Sequence, residues 1–171
     1  SHATRKGRHS GELTIGDKGP VVGLEAAIRA AAAEYREAAA NLEEDHPFRA
    51  SLDRAPDDIR LSVWGVVMED RGHQVAHIHP AAWLSGVYYP FLPASVKDAA
   101  KGQTNNVEGW IEFGRAFHLI GDKTEPKVRL VRPEEGMMVM FPSYFGHQTI
   151  PVTSSDEQRV SIAFDLEPAD P

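Results

Sequence analysis

Residues 74–90 read QVAHIHPAAWLSGVYYP, and the first half of that stretch decides how the rest of the chain is read. On an extended strand, residues i and i+2 point to the same face, so the imidazoles of His77 and His79 project together. Pro80 cannot continue a hydrogen-bonded ladder, which ends the strand and leaves both rings near a sheet edge or mouth. Two neutral imidazoles side by side suit Fe(II), Zn, Ni, Mn or Cu. By itself a His-x-His pair is also compatible with two unrelated surface histidines.

Working outward, short β-branched and aromatic runs separated by Gly, Pro, Asn and Asp predict strands over 59–68, 74–79, 84–89, 109–114, 127–131, 137–141, 147–151 and 159–166. Eight short strands after one or two helices predict a mainly β fold: a two-sheet jelly-roll, or double-stranded β-helix, with the helices packed outside. Residues 22–43 carry the helical pattern. Leu24, Ile28, Tyr35 and Leu42 share one face with Ala32 and Ala39 between them. Residues 1–20 are polar and Gly-rich, with Arg5, Lys6 and Arg8 as a small basic run, and are expected to form a flexible tail. The remainder, 21–171, is expected to be a single domain whose motif-bearing barrel spans 59–168. Residues 92–108 are expected to be a long loop at the barrel mouth.

Composition narrows the function. The 171 residues include 18 Lys+Arg against 25 Asp+Glu, a formal net charge of −7, and no Cys. The acidic balance argues against nucleic acid or an anionic membrane as the partner. Without cysteine there are no disulfides, thiolate ligands or Fe–S clusters, so a transition metal must be held by imidazole and carboxylate. There is no apolar run of membrane-spanning length and no signal-peptide core, and the cysteine-free composition fits a reducing cytoplasm. The chain opens on Ser1-His2-Ala3 without an initiator methionine, as a trimmed chain would.

Two further clusters join the first. In MMVMFPSYFGHQTI, residues 137–150, an apolar strand turns at Gly146 and delivers His147 at the start of the next strand, as a third facial metal ligand. On the last predicted strand Arg159 and Ser161 share a face. A buried Arg there needs an anion, which its fork binds in two places while a hydroxyl adds another bond. Taken alone, Arg159 also fits a surface pair with Asp156 or Glu157. Taken together, His77, His79, His147 and Arg159 describe a metal beside a carboxylate site. Trp83, Trp110, Tyr144 and Phe145 fall around these motifs, as core or as pocket lining.

The run Trp64…Gly72-His73-Gln74…His77-Ile78-His79-Pro80…Trp83 to Pro90 resembles bacterial 2-oxoglutarate/Fe(II) oxygenase domains. Gly109 to Gly114, Pro133-Glu134-Glu135-Gly136, Phe141-Pro142-Ser143-Tyr144 and Arg159…Phe164-Asp165 continue the resemblance in order. It implies a double-stranded β-helix, one Fe(II), and 2-oxoglutarate as co-substrate. The implied reaction is oxidative decarboxylation of 2-oxoglutarate coupled to oxidation, as hydroxylation, of a small-molecule or protein side-chain substrate. It further implies His77 and His147 as metal ligands, with Arg159 and Ser161 holding the distal carboxylate of 2-oxoglutarate. Tyr89 is implied to bond the same carboxylate, with Tyr88 facing the opposite way.

Relatives of this type often follow tetratricopeptide repeats, so a fused or associated helical-repeat domain is implied as a partner. One position departs from the wider His-x-Asp/Glu…His pattern: the middle residue is His79, so the site has three histidines and no anionic ligand. Glu112 on a neighbouring strand is a candidate replacement, and Asp165 is read as a strand-end or cap residue. The rival readings are a cupin-type metal dioxygenase that uses no 2-oxoglutarate, and a non-catalytic metal or 2-oxoglutarate binding module.

Overall fold

A computed structural model of the chain describes residues 4–99, 107–114, 127–152 and 157–169. In chain order these form β1 (Thr4–Glu12), α1 (Val21–Ala40), α2 (Pro47–Ala50), a 3-10 turn (Ser51–Arg54), β2 (Ile59–Gln74), β3 (Leu84–Phe91), α3 (Ala94–Ala99), β4 (Ile111–Phe113), β5 (Arg129–Val131), β6 (Met138–Pro142), β7 (His147–Thr149) and β8 (Arg159–Pro168). Five strands build one antiparallel sheet in the order β1-β2-β8-β3-β6, and three build a second in the order β5-β4-β7. This is the mainly β, jelly-roll architecture that the strand pattern predicts.

Strand β8 lies at the centre of the large sheet, and its alternation organises everything around it. Phe164 and Leu166 point to one face, where Val63 and Leu61 on β2 and Gly86 and Leu84 on β3 are their direct cross-strand neighbours. Helix α1 covers this face: Ile28, Ala32, Leu61, Val63, Trp83, Leu84, Phe164 and Leu166 form one buried cluster, with Leu24 and Tyr35 packed on its margin. The alanines let the helix approach closely while the larger side chains fill the sheet. Trp83 belongs to this core. Its indole donates to the Ser51 carbonyl at 2.9 Å, and the Arg36 guanidinium lies 4.5 Å above its ring. Leu42 lies past the end of α1 and is exposed.

Arg159, Ser161, Ala163 and Asp165 point to the opposite face of β8, towards the small sheet. A one-residue slip would exchange the two sets, so burying Phe164 and Leu166 under α1 also aims the polar set inward.

Three expectations are corrected. Residues 4–12, read as part of a flexible tail, instead form edge strand β1 along β2. The strand is polar, and polar side chains complete the pairing: Glu12 Oε1 accepts the Val63 amide at 2.8 Å and Ser10 Oγ accepts the Gly65 amide at 2.7 Å. Residues 74–79 do not form a separate strand. β2 runs on to Gln74, and beyond it only His77 makes a β-bridge, with His147. The segment 92–108 begins with buried Leu92 and helix α3, whose Val96 packs with Tyr89 and Val152, while 100–106 lie outside the described residues. Among the described residues no helix is long and apolar enough to cross a membrane.

Gly86 marks the tightest point of the sheet. A Cβ there would meet the Phe164 ring and the Val139 carbonyl on β6. Gly86→Ala is expected to destabilise the fold by about 1–3 kcal/mol through overpacking, lowering the melting temperature by roughly 2–12 °C in a calorimetric scan.

Candidate metal and anion site

The two sheets enclose a partly open pocket between them. The large sheet contributes Trp64, Val66, Ser85, Val87, Tyr89, Arg159 and Ser161, and the small sheet Ile111, His147 and Thr149. His9 of β1 also lines it, a residue sequence reasoning missed because β1 itself carries no strand signal.

Three segments bring the histidines together. His77 and His147 exchange both backbone hydrogen bonds, at 3.0 and 3.1 Å, and the His79 amide donates to the Ser143 carbonyl at 3.0 Å. Ser143 is in turn fixed by its hydroxyl bond to the Ala82 carbonyl. The ring centroids of His77 lie 4.9 Å from His79 and 4.2 Å from His147, and those of His79 and His147 lie 5.2 Å apart.

Each ring is held by its Nδ1 edge. His77 Nδ1 donates to the Val75 carbonyl at 2.7 Å, His147 Nδ1 to the Phe145 carbonyl at 3.0 Å, and His79 Nδ1 to Asp165 Oδ2 at 3.1 Å. Fixing the proton on Nδ1 leaves the lone pair of each Nε2 free for a metal. One nitrogen from each residue lies within 4.8 Å of the others, so the group could hold a metal ion. Burial pushes the His147 pKa down to about 3 and, with less help, lowers that of His77, so both rings are neutral at neutral pH.

At the other end of the pocket Arg159 is 3% exposed, and its Nε and Nη1 have no hydrogen-bond partner. Desolvation lowers its pKa, yet a guanidinium stays charged at neutral pH. Tyr89 packs beside it, with its ring centroid 5.7 Å from the guanidinium carbon, and burial raises the phenol's pKa. Tyr88 points to the α1 face, as its pairing with Ile162 requires. Arg159 does not form the surface pair with Glu157, whose carboxylate accepts the Ala94 amide at 2.9 Å. Asp156 lies outside the described residues. A buried cation with two unused donors is costly unless an anion meets it, so this end of the pocket suits a carboxylate.

Glu112 does not join the histidines. On β4 it alternates away from Ile111 and Phe113, which face the pocket side, and it accepts a 2.6 Å bond from Gln148. Asp165 is no strand-end cap. It is 9% exposed, contacts His79, and accepts the Ser85 hydroxyl at 2.6 Å. The signal was present in its spacing, since Asp165 follows Arg159 by six residues on one strand and so shares its face. Tyr144 and Phe145 line a second groove, with Phe48 and Phe113, on the far side of Phe141.

A family model described as "Putative 2OG-Fe(II) oxygenase" matches residues 62–165. The chain belongs to this family. Among solved structures, an oxidoreductase of the 2OG-Fe(II) oxygenase family from Burkholderia pseudomallei is 11% identical, with a TM-score of 0.47 over 77% of this chain and 54% of that one. This chain thus spans about half the length of that protein. A prolyl-4-hydroxylase from Pseudomonas putida is 13% identical, with a TM-score of 0.45 over 96% of this chain and 94% of that one. A cupin-like protein from Thermotoga maritima is 17% identical, with a TM-score of 0.34 over 61% and 56% of the two chains. No curated protein matches the sequence.

In the metal-free form, this member of the 2OG-Fe(II) oxygenase family keeps His147 neutral at a pH where an unfolded histidine is charged. The unfolded chain then binds more protons than the folded one, so stability falls as the pH drops from about 6.5 towards about 3. One titrating histidine contributes up to about 1.4 kcal/mol per pH unit in that window. Melting temperatures of chelator-treated protein are expected to decline across it, and His147→Gln to flatten the decline.

Proposed function

We propose that the chain is an Fe(II)- and 2-oxoglutarate-dependent dioxygenase, coupling oxidative decarboxylation of 2-oxoglutarate to hydroxylation of a second substrate. The observation that carries this reading is the buried Arg159 guanidinium, hydrogen-bonded to Tyr89 but with Nε and Nη1 unpartnered, in the same pocket as three histidines with their Nδ1 edges tied back. A metal site alone would not need a buried cation beside it. A carboxylate-bearing metal ligand would need both.

His77, His79 and His147 would hold the metal through Nε2. Arg159 would donate from Nε and Nη1 to the distal carboxylate of 2-oxoglutarate, with the neighbouring hydroxyls of Ser161 and Tyr89 available to the same group. When bound, Fe(II) and 2-oxoglutarate would supply the oxidising chemistry with O₂ as oxidant, one oxygen atom passing to succinate as CO₂ leaves and the other to the hydroxylated substrate. The chain's own contribution is placement and exclusion of water. Val66, Ile111 and Phe141 wall the site between the sheets, where charge-assisted hydrogen bonds are strong.

The test is an anaerobic calorimetric titration of Fe(II) and then 2-oxoglutarate, followed by measurement of succinate once O₂ is admitted. The wild-type protein is expected to bind both and to release succinate. Arg159→Ala is expected to weaken 2-oxoglutarate binding at least roughly a hundredfold, from two lost charge-assisted bonds, while Fe(II) affinity is preserved. Metal binding without 2-oxoglutarate binding would overturn the proposal.

A further inference from the structure

Three neutral imidazoles bring no charge to a metal dication, and the pocket already holds the cation of Arg159. Among the described residues that line it, none is acidic. The carboxylate that does reach the site reaches it through a ring: Asp165 Oδ2 lies 3.1 Å from His79 Nδ1.

The placement of Asp165 is itself built. Ser85 is its direct cross-strand neighbour on β3, and Ser85 Oγ donates to Asp165 Oδ1 at 2.6 Å, so each carboxylate oxygen has its own donor. Asp165, Ser85 and the His79 contact all lie on the inward face of the large sheet. His77 and His147, by contrast, hold their Nδ1 protons on backbone carbonyls of residues two positions earlier in the chain. Only His79 is held by a side chain, and only that side chain carries a charge.

We propose that Asp165 is the positioning residue of the metal site. It locks His79 with the proton on Nδ1 and the Nε2 lone pair towards the other two histidines. It also places the site's negative charge one imidazole away from the metal. Ser85 holds the carboxylate in the orientation that makes both possible. This inference rests on the proposed metal site and extends it to a residue that would not touch the metal.

Two readouts test it. The first is the tautomer of His79 in the metal-free protein, from long-range ¹H–¹⁵N NMR correlations. The second is Fe(II) affinity, from anaerobic calorimetry. Wild type is expected to show His79 protonated on Nδ1. Asp165→Asn has one acceptor oxygen for two donors, so the Nδ1 tautomer is expected to lose its dominance, and Fe(II) affinity to fall ten- to hundredfold. Asp165→Glu is expected to recover part of that affinity.

Should Asp165→Asn not fold, Ser85→Ala keeps the charge but frees its orientation. It is expected to shift both readouts in the same direction by a smaller factor. A folded Asp165→Asn with an unchanged tautomer and unchanged Fe(II) affinity would overturn the inference while leaving the metal site standing. If wild type takes up no Fe(II), the proposed function fails, and the tautomer alone decides the part assigned to Asp165: Nδ1 protonation lost in Asp165→Asn supports it, and an unchanged tautomer overturns it.

Discussion

The period of two along β8 is the constraint on which the rest of the molecule depends. A strand with a neighbour on either side has its faces set by what each side can bury. Here one side is apolar and closed by α1 through Ile28 and Ala32, which commits Phe164 and Leu166 to that side. Arg159, Ser161 and Asp165 are then inward whatever their own preferences, because their parity along the strand leaves no alternative. Packing energy spent far from the pocket thereby holds a cation and a carboxylate where isolated side chains would not remain. The cost of burying Arg159 is borne by the core on the opposite face.

The histidines are placed by a different device. His77 and His147 are joined by a single reciprocal backbone bridge rather than by a continuous ladder. That bridge fixes two ligand-bearing backbones against each other, and the bond from the His79 amide to Ser143 adds the third. With one edge of every ring tied to an acceptor, rotation about the side-chain bonds is restricted before any metal arrives. Pre-organisation of that kind lowers the ordering cost of binding.

Much of this was legible in the sequence. Most strand runs of the C-terminal two-thirds, the helix that begins near residue 22 and the grouping of His77, His79 and His147 with Arg159 follow from spacing and residue type. What was not legible depends on pairing. β1 has no apolar alternation because it is an edge strand whose bonds are completed by Glu12 and Ser10, and nothing local announces that. The expected strand over 74–79 dissolves because β2 stays paired with β1 as far as Gln74, leaving the histidines on a bridge. Asp165 was visible by parity with Arg159, but its link to His79 joins residues 86 positions apart, and no local pattern carries that distance.

The pocket wall includes His9 near one end of the chain and Ala163 near the other. A fragment without β1 or β8 lacks part of the pocket wall. During synthesis β1 leaves the ribosome well before β8 exists, so the cavity cannot close until β8 has been made. Contacts of such wide sequence separation close slowly. The pocket that would receive a ligand is therefore complete only once β8 has docked between β2 and β3.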